Sequence, residues 1–188
     1  MNFVSPIRDK KQIELMKMFL RERSTRDYLL FMIGISSALR ISDILKLKVS
    51  DVWDGKNPKD CIRVQEKKTS KRKEFPITEN LNKAIRDYMK EYNRTKDEYL
   101  FFSKKDNFNP ITRQQASNIL STAGDYIGIK DPINTHSMRK TWGYWAYKSG
   151  VSLVLIMEAL NHSNIANTLK YIGITQDDLN EVYINLNL

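Results

Sequence analysis

Cysteine is almost absent from this chain of 188 residues: Cys61 stands alone, so no disulfide can form within it, and a reducing compartment suits it best. Its place in an alternating segment assigns it to strand packing. Histidine is nearly as scarce, at His136 and His162 only. With no cysteine cluster and no H-E-x-x-H run, a zinc finger or a zinc hydrolase site is excluded, and no metal is expected. Apolar runs long enough to span a bilayer are missing, and the opening MNFVSPIRDKKQ lacks the apolar centre of a secretory leader. These absences point to a cytoplasmic protein. Internal repeats and low-complexity linkers are lacking too, so one compact domain over 1–188 is expected.

Acidic residues are outnumbered. Lys and Arg total 31 against 22 Asp and Glu, for a net charge of +9, which favours a polyanionic partner such as nucleic acid. An evenly solvated basic surface gives the same number, so charge alone does not decide. Apolar residues at 41% and charged ones at 28% are those of a chain that folds rather than one that stays disordered.

Along the chain, Ile13, Met16, Phe19 and Leu20 recur at helical spacing, and TRDYLLFMIGISSAL continues as a more buried helix. Ser42 is a candidate cap for a short helix over ISDILKLK, stopped by the turn residues Asp54-Gly55 and Asn57-Pro58. CIRVQE alternates apolar and polar residues, EFPI is a second extended piece, and KKTSKRK between them reads as a hairpin loop. YLFF supplies a third strand. Thr78 is expected to cap a helix carrying Leu81, Ile85, Tyr88 and Tyr92. From Thr112 the pattern is wholly helical: a capping box at Thr112 and Gln115, a break at Asp131-Pro132, a helix from about Thr135 to Ser149 closed by Gly150, and another from Ser152 through Leu160. QDDLNEVYINLNL carries Leu179, Val182, Tyr183 and Leu186 on one apolar face, so a terminal helix is expected over 176–188. The fold class is therefore α+β, predominantly α-helical, with a small three-stranded antiparallel sheet.

Several residues could carry chemistry. His136 and Arg139, three apart near a helix start, share one face and could converge on one phosphate, though the same spacing fits a pair that bonds nearby carbonyls. Arg40 is embedded between Leu39 and Ile41, where a charge wants a partner. Asp43 is the candidate, and a simple salt bridge at the helix start accounts for the pair as well as a functional guanidinium does. Lys67, Lys68, Lys71, Arg72 and Lys73 could form a solvated hairpin tip or lie along a sugar-phosphate backbone. Tyr171, nine residues after His162 in NTLKYIGI, would serve as a nucleophile only if its phenol, with a pKa of about 10, lost its proton in step with attack.

The order ALRISDILKLKVSDV, EKKTSKRKEFPI, HSMRKTWGYWAYKSG and LNHSN, with Tyr171 beyond, resembles the catalytic domain of tyrosine recombinases, the phage integrase family, over roughly Phe31 to Ile172. The combined pattern is far more specific than any one box. The resemblance implies that Arg40, His136, Arg139 and His162 surround a scissile phosphate of double-stranded DNA, that Tyr171 attacks it, that Lys68 is the hairpin lysine and that Asp43 supports Arg40 from behind. It implies that His136 accepts the phenolic proton, that His162 hydrogen-bonds a phosphate oxygen and that Lys68 protonates the departing 5′-oxygen. The 3′-phosphotyrosine so formed keeps the bond energy, so neither ATP nor a cofactor is needed. Lys67, Lys71, Arg72 and Lys73 are then expected to touch DNA.

It further implies a monomer in free solution that becomes a homotetramer on DNA, with 176–188 as a possible exchange element between protomers. The chain departs from the family in two places: Asn161 stands where glycine is usual, and no histidine follows Tyr171 closely. Only about thirty residues precede the first box, so either this is a piece of a longer protein or it is a short form without an N-terminal DNA-clamping domain, like the short invertases that switch fimbrial genes, the second reading being favoured. A type IB topoisomerase and an inactive DNA-binding relative are the competing readings.

Overall fold

The computed structural model describes residues 4–66 and 71–175, with Asp178, Asn180 and Ile184 beyond them. Two helices open the fold, α1 (Lys10–Arg23) and α2 (Thr25–Ser36). Ser24 separates them: its extended backbone ends α1, and its hydroxyl accepts the Asp27 N–H at 3.3 Å to start α2. α2 is buried along Leu29, Leu30, Phe31, Met32, Ile33 and Gly34, so it forms the centre of the core rather than an amphipathic wall. α1 packs on it through Ile13, Met16 and Leu20, and α5 (Glu79–Tyr92) covers another side through Leu81, Ala84, Ile85 and Tyr88.

Between these helices come α3 (Ile41–Ile44), α4 (Val49–Val52) and a hairpin of β1 (Cys61–Gln65) and β2 (Arg72–Pro76). The strands pair antiparallel with Cys61 opposite Pro76 and Gln65 opposite Arg72. β1 alternates as its sequence does, with Ile62 buried and Cys61 half-buried. The second strand begins earlier than EFPI and takes in Arg72 and Lys73 from the expected loop.

Two sequence readings are corrected. Among the described residues the sheet has two strands, not three. In YLFF, Tyr99 bridges to Lys48 and Phe102 to Pro110, as isolated contacts. Proline has no N–H to extend the second ladder, and Leu100, Phe101 and Phe102 are buried in succession instead of alternating. Ser42, in turn, does not cap: α3 starts at Ile41, and the carbonyl of Arg40 accepts the N–H groups of Asp43 (2.9 Å) and Ile44 (3.1 Å).

The last part of the chain is helical as expected: α6 (Arg113–Tyr126), α7 (Thr135–Lys148), α8 (Leu153–Ala159) and α9 (Ile165–Ile172). Thr112 and Gln115 form the capping box, at 3.1 and 2.7 Å. α7 makes two unusually close approaches. A methyl group on Gly34 would lie 2.2 Å from the Met138 sulfur, and one on Gly143 would lie 2.6 Å from Cγ2 of Ile172. At Gly143 the neighbour is a branched, fully buried side chain, so glycine is needed for α9 to come so near, whereas at Gly34 the nearest atoms are the far end of the Met138 side chain, which would have to move to admit a methyl group. α8 and α9 rest on a second, smaller core of Ile156, Leu160 and Ile172, beside Trp142 and Tyr171.

The helix expected over 176–188 lies mostly outside the described residues. Asp178 lies within them, 3.8 Å from Arg8 and 3.6 Å from Lys148. Among the described residues no helix is long and apolar enough to cross a membrane, and no cluster of three potential metal ligands is found.

Candidate active site

A cleft of about 590 Å³ opens where the α2–α3 link, the first turns of α6 and α7, the α8–α9 turn and the end of α9 meet. Arg40, His136, Arg139, His162 and Tyr171 all line it, together with Arg113. Residues as far apart in sequence as Arg40 and Tyr171 are thus brought to one surface. Lys68, and Lys67 beside it, lie outside the described residues. Lys71 and Arg72 are exposed at the start of β2, whereas Lys73 turns inward.

Each cleft residue is placed by a local reason. Asn134 caps α7 by accepting the His136 N–H at 2.8 Å, which puts His136 in the first turn and Arg139 one turn deeper on the buried face. Arg139 is 4% exposed, and its guanidinium donates to the carbonyls of Ala38 and Leu160, tying the link before Arg40 to the end of α8. Five N–H donors are available on a guanidinium, so two carbonyls leave others for an anion. His162 follows a turn in which Asn161 adopts the left-handed conformation, φ 47°. Its Nδ1 lies 3.2 Å from the buried Thr168 hydroxyl, one turn before Tyr171 on α9. Gly173, at φ 79°, ends α9 immediately after Ile172.

The tyrosine is closely surrounded. Its ring stands edge-to-face with the His162 ring, centroids 4.8 Å apart, and the Lys140 ammonium lies 5.2 Å from its centre. Burial pushes the Tyr171 phenol above its ordinary value near about 10, while Arg139 and then Arg40 pull it down. The phenol is therefore protonated at neutral pH and needs an acceptor. Burial likewise pushes both imidazoles below their ordinary value. Lys140, Arg139 and Arg113 add to the effect at His136, which still reaches solvent, and Arg139, Arg40 and Lys73 add to it at His162. Both histidines are neutral at pH 7, the state in which an imidazole accepts a proton.

The carboxylate on Arg40 is one that sequence reasoning missed. Glu66, whose side chain is fully buried, meets Arg40 Nη1 at 2.9 Å and Lys73 Nζ at 3.1 Å. Asp43, expected behind Arg40, is buried in α3. The signal for Glu66 was present: it continues the inward register of Ile62 and Val64, where a charge must find cations. Lys73 shares its face of β2 with Phe75, and that register carried the same message. Lys140 and Thr168 were missed because only the folded chain brings them beside Tyr171 and His162.

Residues 7–177 match the pattern that defines the phage integrase family. The chain belongs to this family. Among phage integrase relatives it is similar to the probable integrase/recombinase YoeC of Bacillus subtilis (strain 168), 40% identical over 183 residues that cover 97% of both chains. It is also similar to the type 1 fimbriae regulatory protein FimB of Escherichia coli (strain K12), 29% identical over 151 residues, 79% of this chain and 73% of the relative. Its fold is like that of XerA recombinase, with a TM-score of 0.79 at 20% identity, over 100% of this chain and 66% of that one. It is also like XerH recombinase in a post-cleavage complex with its difH substrate, with a TM-score of 0.73 at 17% identity, over 99% and 54%. At such identities these solved integrase-family structures establish the shared fold, and with it the α+β, mainly helical class.

Proposed function

We propose that the chain is a cytoplasmic site-specific recombinase that cuts and rejoins double-stranded DNA through a 3′-phosphotyrosine on Tyr171. The observation that carries this reading is the convergence of Arg40, His136, Arg139, His162 and Tyr171 on one cleft. In-line attack by the Tyr171 oxygen forms the phosphotyrosyl bond as the bond to the 5′-oxygen breaks. Negative charge grows on the non-bridging oxygens, and the planar forks of Arg40 and Arg139, held in advance, are suited to bind it. His136 takes the phenolic proton. With Nδ1 of His162 engaged by Thr168, Nε2 is the nitrogen left for a phosphate oxygen. Lys68 protonates the 5′-oxygen, and the reverse sequence with a new 5′-hydroxyl reseals the strand. Lys67, Lys71 and Arg72 are placed by the same reading along the DNA backbone, and four protomers assemble on two duplexes.

The direct test is a nicked duplex from which the cleaved fragment diffuses away, so that the covalent complex accumulates on a denaturing gel. The expected result is an adduct, and exchange products when two intact duplexes carrying the target site are supplied. Relaxation of supercoils without exchange would replace this reading with a topoisomerase one.

The pH dependence follows from His136. Because its pKa is pushed down, protonation and loss of rate set in only below about pH 6.5. Adduct formation should therefore hold at neutral pH and fall on the acid side, and His136→Gln should lose most of the rate together with that acid limb. An unchanged acid limb in His136→Gln would move the base role elsewhere.

A further inference from the structure

We infer that Glu66 is a positioning residue, a buried carboxylate that clamps Arg40, Lys73 and the α8–α9 turn together and so sets where Arg40 and His162 stand in the cleft. The inference rests on the reading of the cleft as a DNA-cleaving site.

The Glu66 side chain is 0% exposed. Its Oε2 accepts from Arg40 Nη1 at 2.9 Å and from Asn161 Nδ2, while Oε1 faces Lys73 Nζ at 3.1 Å. Lys73 also donates to the Ala159 carbonyl, and Arg139 donates to that of Leu160. Three consecutive residues, Ala159, Leu160 and Asn161, are therefore each gripped by a side chain from a different place: β2, α7 and the residue that follows β1. The next residue is His162.

Asn161 is one of the two places where the sequence departs from the family pattern, and the geometry gives that difference a use. Position 161 is left-handed, at φ 47°. Glycine occupies that conformation without strain but offers no side-chain donor, whereas asparagine tolerates it and supplies an amide. The amide goes to Glu66. A carboxylate withdrawn from water persists only among cations and donors, and here two of those groups belong to the cleft's own framework. By taking one edge of the Arg40 guanidinium, Glu66 fixes its plane and leaves other N–H groups for a phosphate. By holding Asn161, it fixes the backbone from which the His162 ring projects.

The test compares wild type, Glu66→Gln and Asn161→Gly on the nicked duplex, measuring the rate of adduct formation at saturating DNA, the DNA concentration at half-saturation, and thermal unfolding. A positioning role predicts a rate lowered on the order of 10- to 100-fold in Glu66→Gln, with half-saturation changed by no more than about twofold. Asn161→Gly keeps the turn and loses only the amide, so a smaller drop in the same rate is expected. A merely structural carboxylate would lower unfolding temperature and leave the rate per folded molecule at the wild-type value, which overturns the inference. If Glu66→Gln does not fold, Asn161→Gly decides: a wild-type rate overturns the clamp and a lowered one upholds it. Wild-type protein that binds the duplex yet never forms an adduct would overturn the recombinase reading and the clamp with it. An adduct in wild type with both variants at full rate overturns only the clamp.

Discussion

Tyr171→Phe is expected to abolish the covalent DNA adduct, by at least about 10⁴-fold, the scale seen when a nucleophile is removed from a preassembled site. The substitution deletes one oxygen and keeps the ring. That ring packs against His162 and belongs to the small core of Ile156, Leu160 and Ile172, so unfolding temperature and DNA affinity should stay close to those of wild type. The check is the denaturing gel on the nicked duplex, read beside a binding isotherm. An undiminished adduct would remove Tyr171 from its proposed role, and Tyr183, outside the described residues, would be tested next.

Arg139→Lys should be nearly as severe for rate and, unlike the tyrosine change, costly for the fold. Arg139 is 4% exposed, and its guanidinium donates to two carbonyls, of Ala38 and Leu160, on different segments. A lysine ammonium is a single point of charge and cannot hold both while also meeting a phosphate. Loss of a donor to the developing charge costs on the order of 10²–10³-fold. Leaving a buried carbonyl unpaired costs about 1–3 kcal/mol of stability. Single-turnover adduct formation and thermal unfolding should therefore both fall. A variant with lowered stability and full rate would assign Arg139 to scaffolding alone.

The helices after Thr112 were readable because their ends carry local chemistry. Thr112 with Gln115, Ser152, Gly150 and Gly173 each satisfy or release backbone groups within a few residues of themselves, so position in sequence is position in space. The cleft was readable for a different reason. The arginines, histidines and tyrosine recur in an ordered set of boxes, and the folded chain brings Arg40, His136, Arg139, His162 and Tyr171 to one surface. What escaped was non-local. YLFF has strand composition, yet Pro110 opposite Phe102 cannot continue a ladder, and that pairing is not visible along the chain. Asp43 was assigned to Arg40 from a spacing of three residues, but Glu66, twenty-six residues on, is a further carboxylate on the same guanidinium that only the hairpin delivers. Lys73 was grouped with its basic neighbours by charge, although its strand register turns it inward.

The two cores divide the cleft between them. Arg40 and Arg139 stand on elements buried in the large core around α2, while His162 stands on the α8–α9 turn and Tyr171 on α9, where α8 and α9 share a core with three fully buried residues among those described. Among the described residues, the anion-holding half of the cleft is thus carried by the larger core and the nucleophile's half by the smaller one, and Lys73, Arg139 and Glu66 fasten the turn of the second half to the first. The glycine crossing at Gly143 is the seam between them, where α9 and its tyrosine lie directly against the helix that carries Arg139.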